Sequence, residues 1–257
     1  MDYNRLLNLS TDLGFLLLES GGEIYRVEES VQRLLAAYGL RTGEAFVIPN
    51  CITVSLVTPD GQALTRVRQM PTHGTDIDLL ERCNDLCRRL CRDTPPLDEA
   101  LAGLDAVTQN PRRFSLPVQL FGHFLGAGAF ALFFGGTLLD GLCAGLCGLT
   151  IAFCLIFMTN LGTNLFFKTV AAGALSALLA LIFCMVGLGQ NVDLITIGAL
   201  MLLVPGLIFT NAMRDIMAGD MVAGITKTAE ALLIGAAIAL GTGVALWLAR
   251  LLWGGAV

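Results

Sequence analysis

Charge is scarce over more than half of this chain. Of the 37 Asp, Glu, Lys and Arg residues, 28 lie in residues 1–114, and the remaining 143 residues carry nine. An ionised side chain at the centre of a bilayer costs about 2.5–3.5 kcal/mol even on insertion scales, and nearly all nine lie at the edges of long apolar runs. The distribution predicts an α-helical integral membrane protein, with a small α+β cytoplasmic domain at residues 1–112 and a membrane domain at residues 113–257.

Sequence motifs of several protein classes are also missing. The chain has no P-loop, no glycine-rich dinucleotide fingerprint, no HExxH and no GxSxG elbow, so ATP-driven pumping and the corresponding enzyme chemistries are not expected. A net charge of -5 with scattered arginines does not favour nucleic-acid binding. We therefore predict no catalytic residues and no cofactor.

The eight cysteines lack the spacing of a disulfide scaffold, and four of them lie in apolar runs, so we expect reduced thiols. Cys83, Cys87 and Cys91 recur every four residues but lack the CxxC pairing of common zinc sites. A small apolar stripe explains them better than a metal site. The first residues have no basic start, continuous apolar core or small-residue cleavage site, so we expect the polar domain to stay in the cytoplasm.

Five apolar windows approach the length of about 20 residues that a spanning helix needs. They are residues 116–138, 141–158, 166–188, 193–210 and 228–250. The connections that hold basic residues are expected inside the cell. This rule predicts that the amino terminus lies inside and the carboxyl terminus outside. The basic residues that decide it are Arg112, Arg113, Lys168, Arg214 and Lys227.

The segment LLVPGLIFTNAMRDIMAGDMVAGITKTAE, residues 202–230, interrupts the apolar pattern. Pro205 and Gly206 weaken helical continuity inside the fourth window, and broken helices at membrane depth are tolerated chiefly where they are buried or line a cavity. The polar residues Thr210, Asn211, Arg214, Asp215 and Asp220 follow.

Asn211, Arg214 and Asp215 would share one helical face if the helix continues. Arg214 would then bind the carboxylate of a zwitterion, and Asp215 its ammonium group. A solvated helix end at the cytoplasmic interface explains the same residues equally well. Lys227 and Glu230 are interpreted as a surface pair.

The polar domain shows mixed helix and strand patterns. Residues 3–40 predict a helix, a break at residues 20–22 and a second helix from Glu23 to about Tyr38, ended by Gly39. ITVSLV and ALTRVRQM flank a Pro-Asp-Gly turn, which predicts a hairpin. Helical spacing returns over residues 76–91, and residues 97–107 predict a last helix.

Two separated segments of the chain resemble the amino-terminal half of the threonine/serine exporter family. They are SGGEIYRVEESVQRLLAAYGL and VPGLIFTNAMRDIMAGDMVAG, and a Thr-bearing strand around residues 51–56 lies between them. The resemblance implies a cytoplasmic domain before five spans in a bacterial inner membrane. It also implies that this chain is the larger component of a split exporter, working with a small five-span membrane protein. Export of threonine and serine is implied, and for split members also that of dicarboxylates such as succinate.

The resemblance assigns residues to a cytoplasmic and a membrane motif. The cytoplasmic motif comprises Gly21, Glu23, Arg26, Val27 and Glu28, and the membrane motif comprises Pro205, Gly206, Asn211, Asp215, Gly219, Asp220 and Gly224. Because the predicted number of spans, five, is odd, a second five-span unit joined to this one would have the inverted orientation in the membrane, as in many secondary transporters. Proton coupling through Asp215 and Asp220 is a hypothesis.

Two other functions fit the same sequence. A membrane-anchored enzyme or sensor could use Glu23, Arg26 and Glu28 on one helix for acid/base chemistry, although an anchor needs one span. An uncoupled channel or scaffold would conduct without ever exceeding equilibrium. Small residues at four-residue spacing favour helix association, so we expect an oligomer, but they do not identify the partner.

Overall fold

The structure is a computed structural model that describes residues 1–40, 42–70, 74–109 and 114–253. The chain divides into two compact units: Met1–Arg113 with Phe209–Thr228, and Phe114–Ile208 with Ala229–Val257. In chain order the described elements are α1 (Tyr3–Glu19), α2 (Ile24–Ala37), β1 (Glu44–Ile48), β2 (Cys51–Val57), β3 (Ala63–Gln69), α3 (Ile77–Asp93), α4 (Leu97–Gln109), α5 (Leu116–Phe133), α6 (Leu138–Asn160), α7 (Leu165–Met185), α8 (Val192–Leu200), α9 (Gly206–Ala218) and α10 (Met221–Trp253).

Within the first unit, helices α1 to α4 and a three-stranded sheet pack around one apolar core. The side chain of Asp2 caps α1 by accepting the Arg5 N–H at 3.1 Å, and the helix then buries leucines at helical spacing, among them Leu6, Leu9 and Leu13. Gly14 lets α1 approach the sheet, because a Cβ there would lie 2.6 Å from Cδ1 of Ile52. The helix, hairpin and further helices predicted for the polar domain are therefore all present.

The sheet is antiparallel in the order β1-β2-β3. Alternate residues of β2, namely Ile52, Val54 and Leu56, are buried. The period of two places these side chains on the core face of the sheet. Arg68 lies over the ring of Phe15 at 3.7 Å and contacts Asp12 at 2.5 Å, which ties β3 to α1.

The second unit is a bundle of apolar helices whose ends carry recognisable caps. Thr137 and Asp140 form a reciprocal capping box at the start of α6, so this helix begins earlier than the predicted window and reaches 23 residues. Small residues allow close helix contact: a Cβ on Gly148 would lie 2.6 Å from the carbonyl oxygen of His123. Many large apolar side chains remain exposed, as expected for surfaces that meet lipid.

Asp140 also joins two connections within this unit. The carboxylate is buried, with 1% of its surface exposed, and accepts the backbone N–H groups of Gln190 at 2.7 Å and Asn191 at 3.1 Å. The same side chain accepts from the backbone and hydroxyl of Thr137. Its charge is thus fully hydrogen-bonded, and it holds the α7–α8 connection to the start of α6.

The prediction of five spans is confirmed only in part. Four helices in the described residues are long and apolar enough to cross a membrane: α5, α6, α7 and α10. The fourth predicted window is not one helix, because α8 ends at Leu200 and α9 begins at Gly206. Nine residues of α8 rise about 14 Å, against roughly 30 Å of hydrocarbon. Pro205 explains the interruption, since it lacks the N–H and its ring would clash with the carbonyl of Met201 in a continuous helix.

The predicted boundary between residues 112 and 113 lies outside the described residues, as do Arg112 and Arg113 themselves. Residues 209–228, which lie within the predicted membrane domain, group with the amino-terminal unit in the structure. The predicted division into domains stays a prediction.

Candidate functional site

The connection between α1 and α2 presents backbone groups for contact. Gly21 has a φ of 93°, a conformation that L side chains rarely adopt, and a Cβ on Gly22 would lie 2.8 Å from the carbonyl oxygen of Leu17. The glycines therefore allow a tight turn. The turn leaves the Gly21 carbonyl and the Ile24 N–H available at the start of α2.

The segment of residues 209–228 lies in the same unit and forms a close helix pair. Gly219, with a φ of 102°, ends α9, and α10 begins two residues later. A Cβ on Gly224 would lie 2.2 Å from Cγ1 of Ile216 and 2.9 Å from the carbonyl oxygen of Ala212. Glycine at this position therefore permits α9 and α10 to approach each other closely.

Three side chains of α9 contact the connection between α1 and α2. Asn211 donates from Nδ2 to the carbonyl oxygen of Gly21 at 3.1 Å, and Arg214 Nη1 lies 2.7 Å from Oε1 of Glu23. Glu23 is 8% exposed, and its Oε2 lies 3.3 Å from Nε of Arg26. The Glu23 carboxylate thus lies between two guanidinium groups, one from α2 and one from α9.

Asp215 is the most buried charged residue of the pair of motifs. Its carboxylate has no exposed surface; Oδ1 accepts the Ile24 N–H at 3.2 Å and Oδ2 lies 2.7 Å from Nζ of Lys227. Lys227 is itself only 8% exposed. We call these contacts of Asn211, Arg214, Asp215 and Lys227 with residues 21–24 and with one another the motif junction.

Two further carboxylates at this end of the unit bind protons more readily than usual. Burial raises the pKa of Glu28 above its ordinary 4.5, the nearby Asp220 adds to the rise, and a hydrogen bond from the Val47 N–H at 2.9 Å opposes it. Burial, and then the charge of Asp215, raises the pKa of Asp220 above 3.8, while Lys227 opposes this rise.

The predicted site residues fall into two groups. In the first unit Asn211 contacts Gly21, Arg214 contacts Glu23, and Asp215 accepts the Ile24 N–H, whereas Arg26 contacts Glu23 of its own motif. Pro205 and Gly206 belong to the second unit, at the start of α9, and Thr210 is an exposed residue of that helix. In the described structure Arg214 and Asp215 both have protein partners, so their binding of a zwitterion stays a prediction.

The interpretation of Lys227 as a surface residue is wrong, because its ammonium is buried against Asp215. A signal was present in the sequence: Lys227 is one of only two lysines, and it lies at the border of an apolar run. A buried lysine near a membrane requires a partner, and Asp215 is one of the few acidic residues in that half of the chain.

Within the described ranges no three His, Cys, Asp or Glu side chains lie close enough together to hold a metal ion. Cys83 and Cys87 are buried on the inner face of α3, as the apolar stripe predicted. Burial raises the pKa of the Cys83 thiol to about 11.

Comparison with known proteins identifies the family. Residues 8–249 match the family model described as "Putative threonine/serine exporter". The chain belongs to the threonine/serine exporter family. The two motifs that meet at the motif junction are thus segments of a multi-pass membrane protein of this family.

Two curated relatives have similar sequences. A "Probable threonine/serine exporter" from Mycobacterium tuberculosis is 25% identical over 238 residues, covering 92% of this chain and 45% of the relative. A "Threonine/serine exporter" from Corynebacterium glutamicum is 26% identical over 259 residues, covering 96% of this chain and 52% of the relative. The chain spans about half the length of the curated relatives it matches. No solved structure matches it.

Proposed function

We propose that this chain is one component of a secondary exporter that moves small amino acids, threonine and serine foremost, out of the cytoplasm. The observation that carries the proposal is the family match, which extends over residues 8–249 and so includes both units. Dicarboxylates such as succinate are a second substrate class, which the family assignment leaves open.

The complementary half would come from a small five-span membrane protein. The two curated relatives contain about as much sequence again as the part that matches this chain, which supports a second unit. If α8 and α9 together form one interrupted crossing, the chain would have an odd number of membrane segments. A second such unit would therefore have inverted orientation, the arrangement in which a substrate path lies between two repeats.

The proposed location is the bacterial cytoplasmic membrane, with the amino terminus inside. Lys168 follows the α6–α7 connection, and Arg214 and Lys227 flank the α9–α10 connection, whereas Asp140 and Asp193 lie near the other connections. The excess of basic residues on alternate connections supports this orientation.

The candidate site residues of the segment 202–230 would act in two ways. Pro205, Gly206 and Thr210, at the interruption before and in α9, would bring the facing ends of α8 and α9 to a substrate. Asn211, Arg214 and Asp215 would couple the cytoplasmic domain to α9 through the motif junction. Asp220 is the proposed proton-binding partner of Asp215, because burial and that neighbour raise its pKa.

Flux in proteoliposomes tests the proposal. Labelled threonine, serine and succinate would be offered to the chain alone, to the chain with the small partner, and to both with Asp215→Asn, under an imposed proton gradient. Uphill movement that needs the partner and is lost in Asp215→Asn is the expected result. If Asp→Asn changes at both residues 215 and 220 left gradient-driven flux intact, proton coupling through them would be refuted.

The same assay separates the other two functions. A channel would carry substrate down its gradient but never above equilibrium. An anchored enzyme or sensor using Glu23, Arg26 and Glu28 would give no flux under any condition. The contacts of Glu23 with Arg26 and Arg214 favour a structural role for this carboxylate over acid/base chemistry.

A further inference from the structure

A cleft beside α3 is lined by arginine side chains and takes no part in the motif junction. Its volume is about 520 Å³, and its walls are formed by Arg82, Asp85, Arg88, Arg89, Arg92 and Val107. Ligand pockets in proteins typically measure about 300–1,000 Å³, so the cleft is large enough for a small molecule.

In the part of the chain that the structure describes, some of the arginines that line the cleft have ion-pair partners, and others do not. Asp85 is committed to an ion pair with Arg88. Arg82 is held by Asp78 at 3.5 Å and donates from Nη2 to the carbonyl oxygen of Val107 at 2.8 Å, which fixes its guanidinium at the wall. Arg89 and Arg92 are exposed, and within the described residues neither has a carboxylate at ion-pair distance.

A simpler explanation accounts for only part of this cluster. Cations near the carboxyl end of a helix interact favourably with its dipole, which explains Arg92 in the last turn of α3. It does not explain Arg82, nearly three turns earlier, nor the contribution of Val107 from α4 to the wall. A concentration of guanidinium groups in one cleft is also unexpected in a chain whose net charge is -5.

We propose that this cleft binds a phosphate-bearing anion. Guanidinium groups form paired, charge-assisted hydrogen bonds to phosphate oxygens, and Arg89 and Arg92 are free to do so, with Arg82 already oriented. The phosphate group could belong to a soluble compound or to the headgroup of an anionic phospholipid. The site is independent of the proposed export function and lies outside both family motifs.

The first test uses the full chain in neutral detergent micelles, titrated calorimetrically with inorganic pyrophosphate. The variant Arg89→Gln/Arg92→Gln should raise Kd at least about tenfold, because two exposed cations leave the cleft. The control Arg5→Gln/Arg33→Gln removes the same charge from two arginines that do not line the cleft, and should change Kd by less than about twofold. Absence of saturable binding, or an equal loss in the control, would overturn the proposal.

The second test identifies the source of the phosphate. Modification of Arg89 and Arg92 by phenylglyoxal would be followed by mass spectrometry in nanodiscs of phosphatidylcholine alone or with phosphatidylglycerol. Protection by added pyrophosphate in phosphatidylcholine would show that the cleft accepts a soluble ligand, and protection by phosphatidylglycerol alone would show that it holds a headgroup. If neither protects, or if succinate protects as well as pyrophosphate, the cleft is not a phosphate site.

Discussion

The buried ion pair of Asp215 and Lys227 leads to a quantitative prediction. Lys227→Met keeps the length of the aliphatic chain but removes the ammonium at 2.7 Å from Asp215 Oδ2. The carboxylate, which has no exposed surface, would keep only the Ile24 N–H at 3.2 Å among its side-chain hydrogen bonds in the described residues. Removing one partner of a buried pair destabilises by about 3–5 kcal/mol, because a buried charge is left uncompensated.

Hydrogen-deuterium exchange of the full chain in micelles measures this loss locally. A loss of 3 kcal/mol corresponds to a rise of roughly 150-fold in the open population, since each 1.4 kcal/mol is a factor of ten. Peptides covering residues 21–31 and 206–218 should exchange faster by about that factor. Those from the second unit, such as residues 138–160, should change much less.

Two further variants make the result decisive. Lys168→Met changes the only other lysine, which is partly exposed and donates to Thr159, and should alter exchange by no more than about threefold. Asp215→Asn/Lys227→Met leaves no buried charge while an amide oxygen can still accept the Ile24 N–H, so most protection should return. If Lys227→Met behaved like Lys168→Met, or if the double variant exchanged as fast as the single, the inferred energetics of the junction would be wrong.

Three other perturbations have defined outcomes. Asp140→Ala leaves the donors of Thr137 and the α7–α8 connection without their acceptor, and should destabilise the helix bundle by about 2–4 kcal/mol, measured as a lower Tm in micelles. Gly224→Ala should loosen the α9–α10 pair, because the added Cβ would lie 2.2 Å from Ile216 Cγ1, and proteolysis of residues 209–228 should become faster. Because the pKa values of Glu28 and Asp220 are raised in the folded state, their contribution to stability is fully present below about pH 4 and is lost as the pH rises through the folded-state pKa values. Tm should therefore fall as the pH rises through this range. The variant Glu28→Gln/Asp220→Asn should reduce that fall.

Each of these has a matched control. Asp193 is an exposed acidic residue in the first turn of α8, and Asp193→Ala should change Tm far less than Asp140→Ala. Gly235→Ala adds a Cβ with no atom within 4 Å, so faster proteolysis in that variant too would contradict the packing explanation for Gly224. An unchanged pH profile in Glu28→Gln/Asp220→Asn would show that other groups control the acid range.

The elements of the polar domain were predictable because their signals are local. Gly21 and Gly22 separate two apolar periodicities, and the Pro-Asp-Gly turn lies between two runs of alternating residues, so neighbours in sequence decide the structure. The interruption at Pro205 was predictable for the same reason, since the missing N–H is a property of that residue alone. Its extent was not, because whether the helix on either side is long enough to cross a bilayer depends on the caps and packing that end α8 at Leu200.

The partners of the site residues were beyond local pattern. Asn211, Arg214 and Asp215 were predicted to share a helical face, yet that face contacts a turn some 190 positions earlier in the chain. No periodicity relates Asp215 to Ile24, and the placement of Lys227 against Asp215 depends on the close approach that Gly224 permits.

The sequence by itself determined the class of this protein: an apolar half nearly free of charge must lie in a membrane, and two motifs in order identify the exporter family. Both follow from composition and local order, which folding does not change. The tertiary structure decided which charges are neutralised and which are exposed. It paired the junction residues with one another and left Arg89 and Arg92 in an open cleft, because burial and pairing depend on distances between segments that sequence order does not encode.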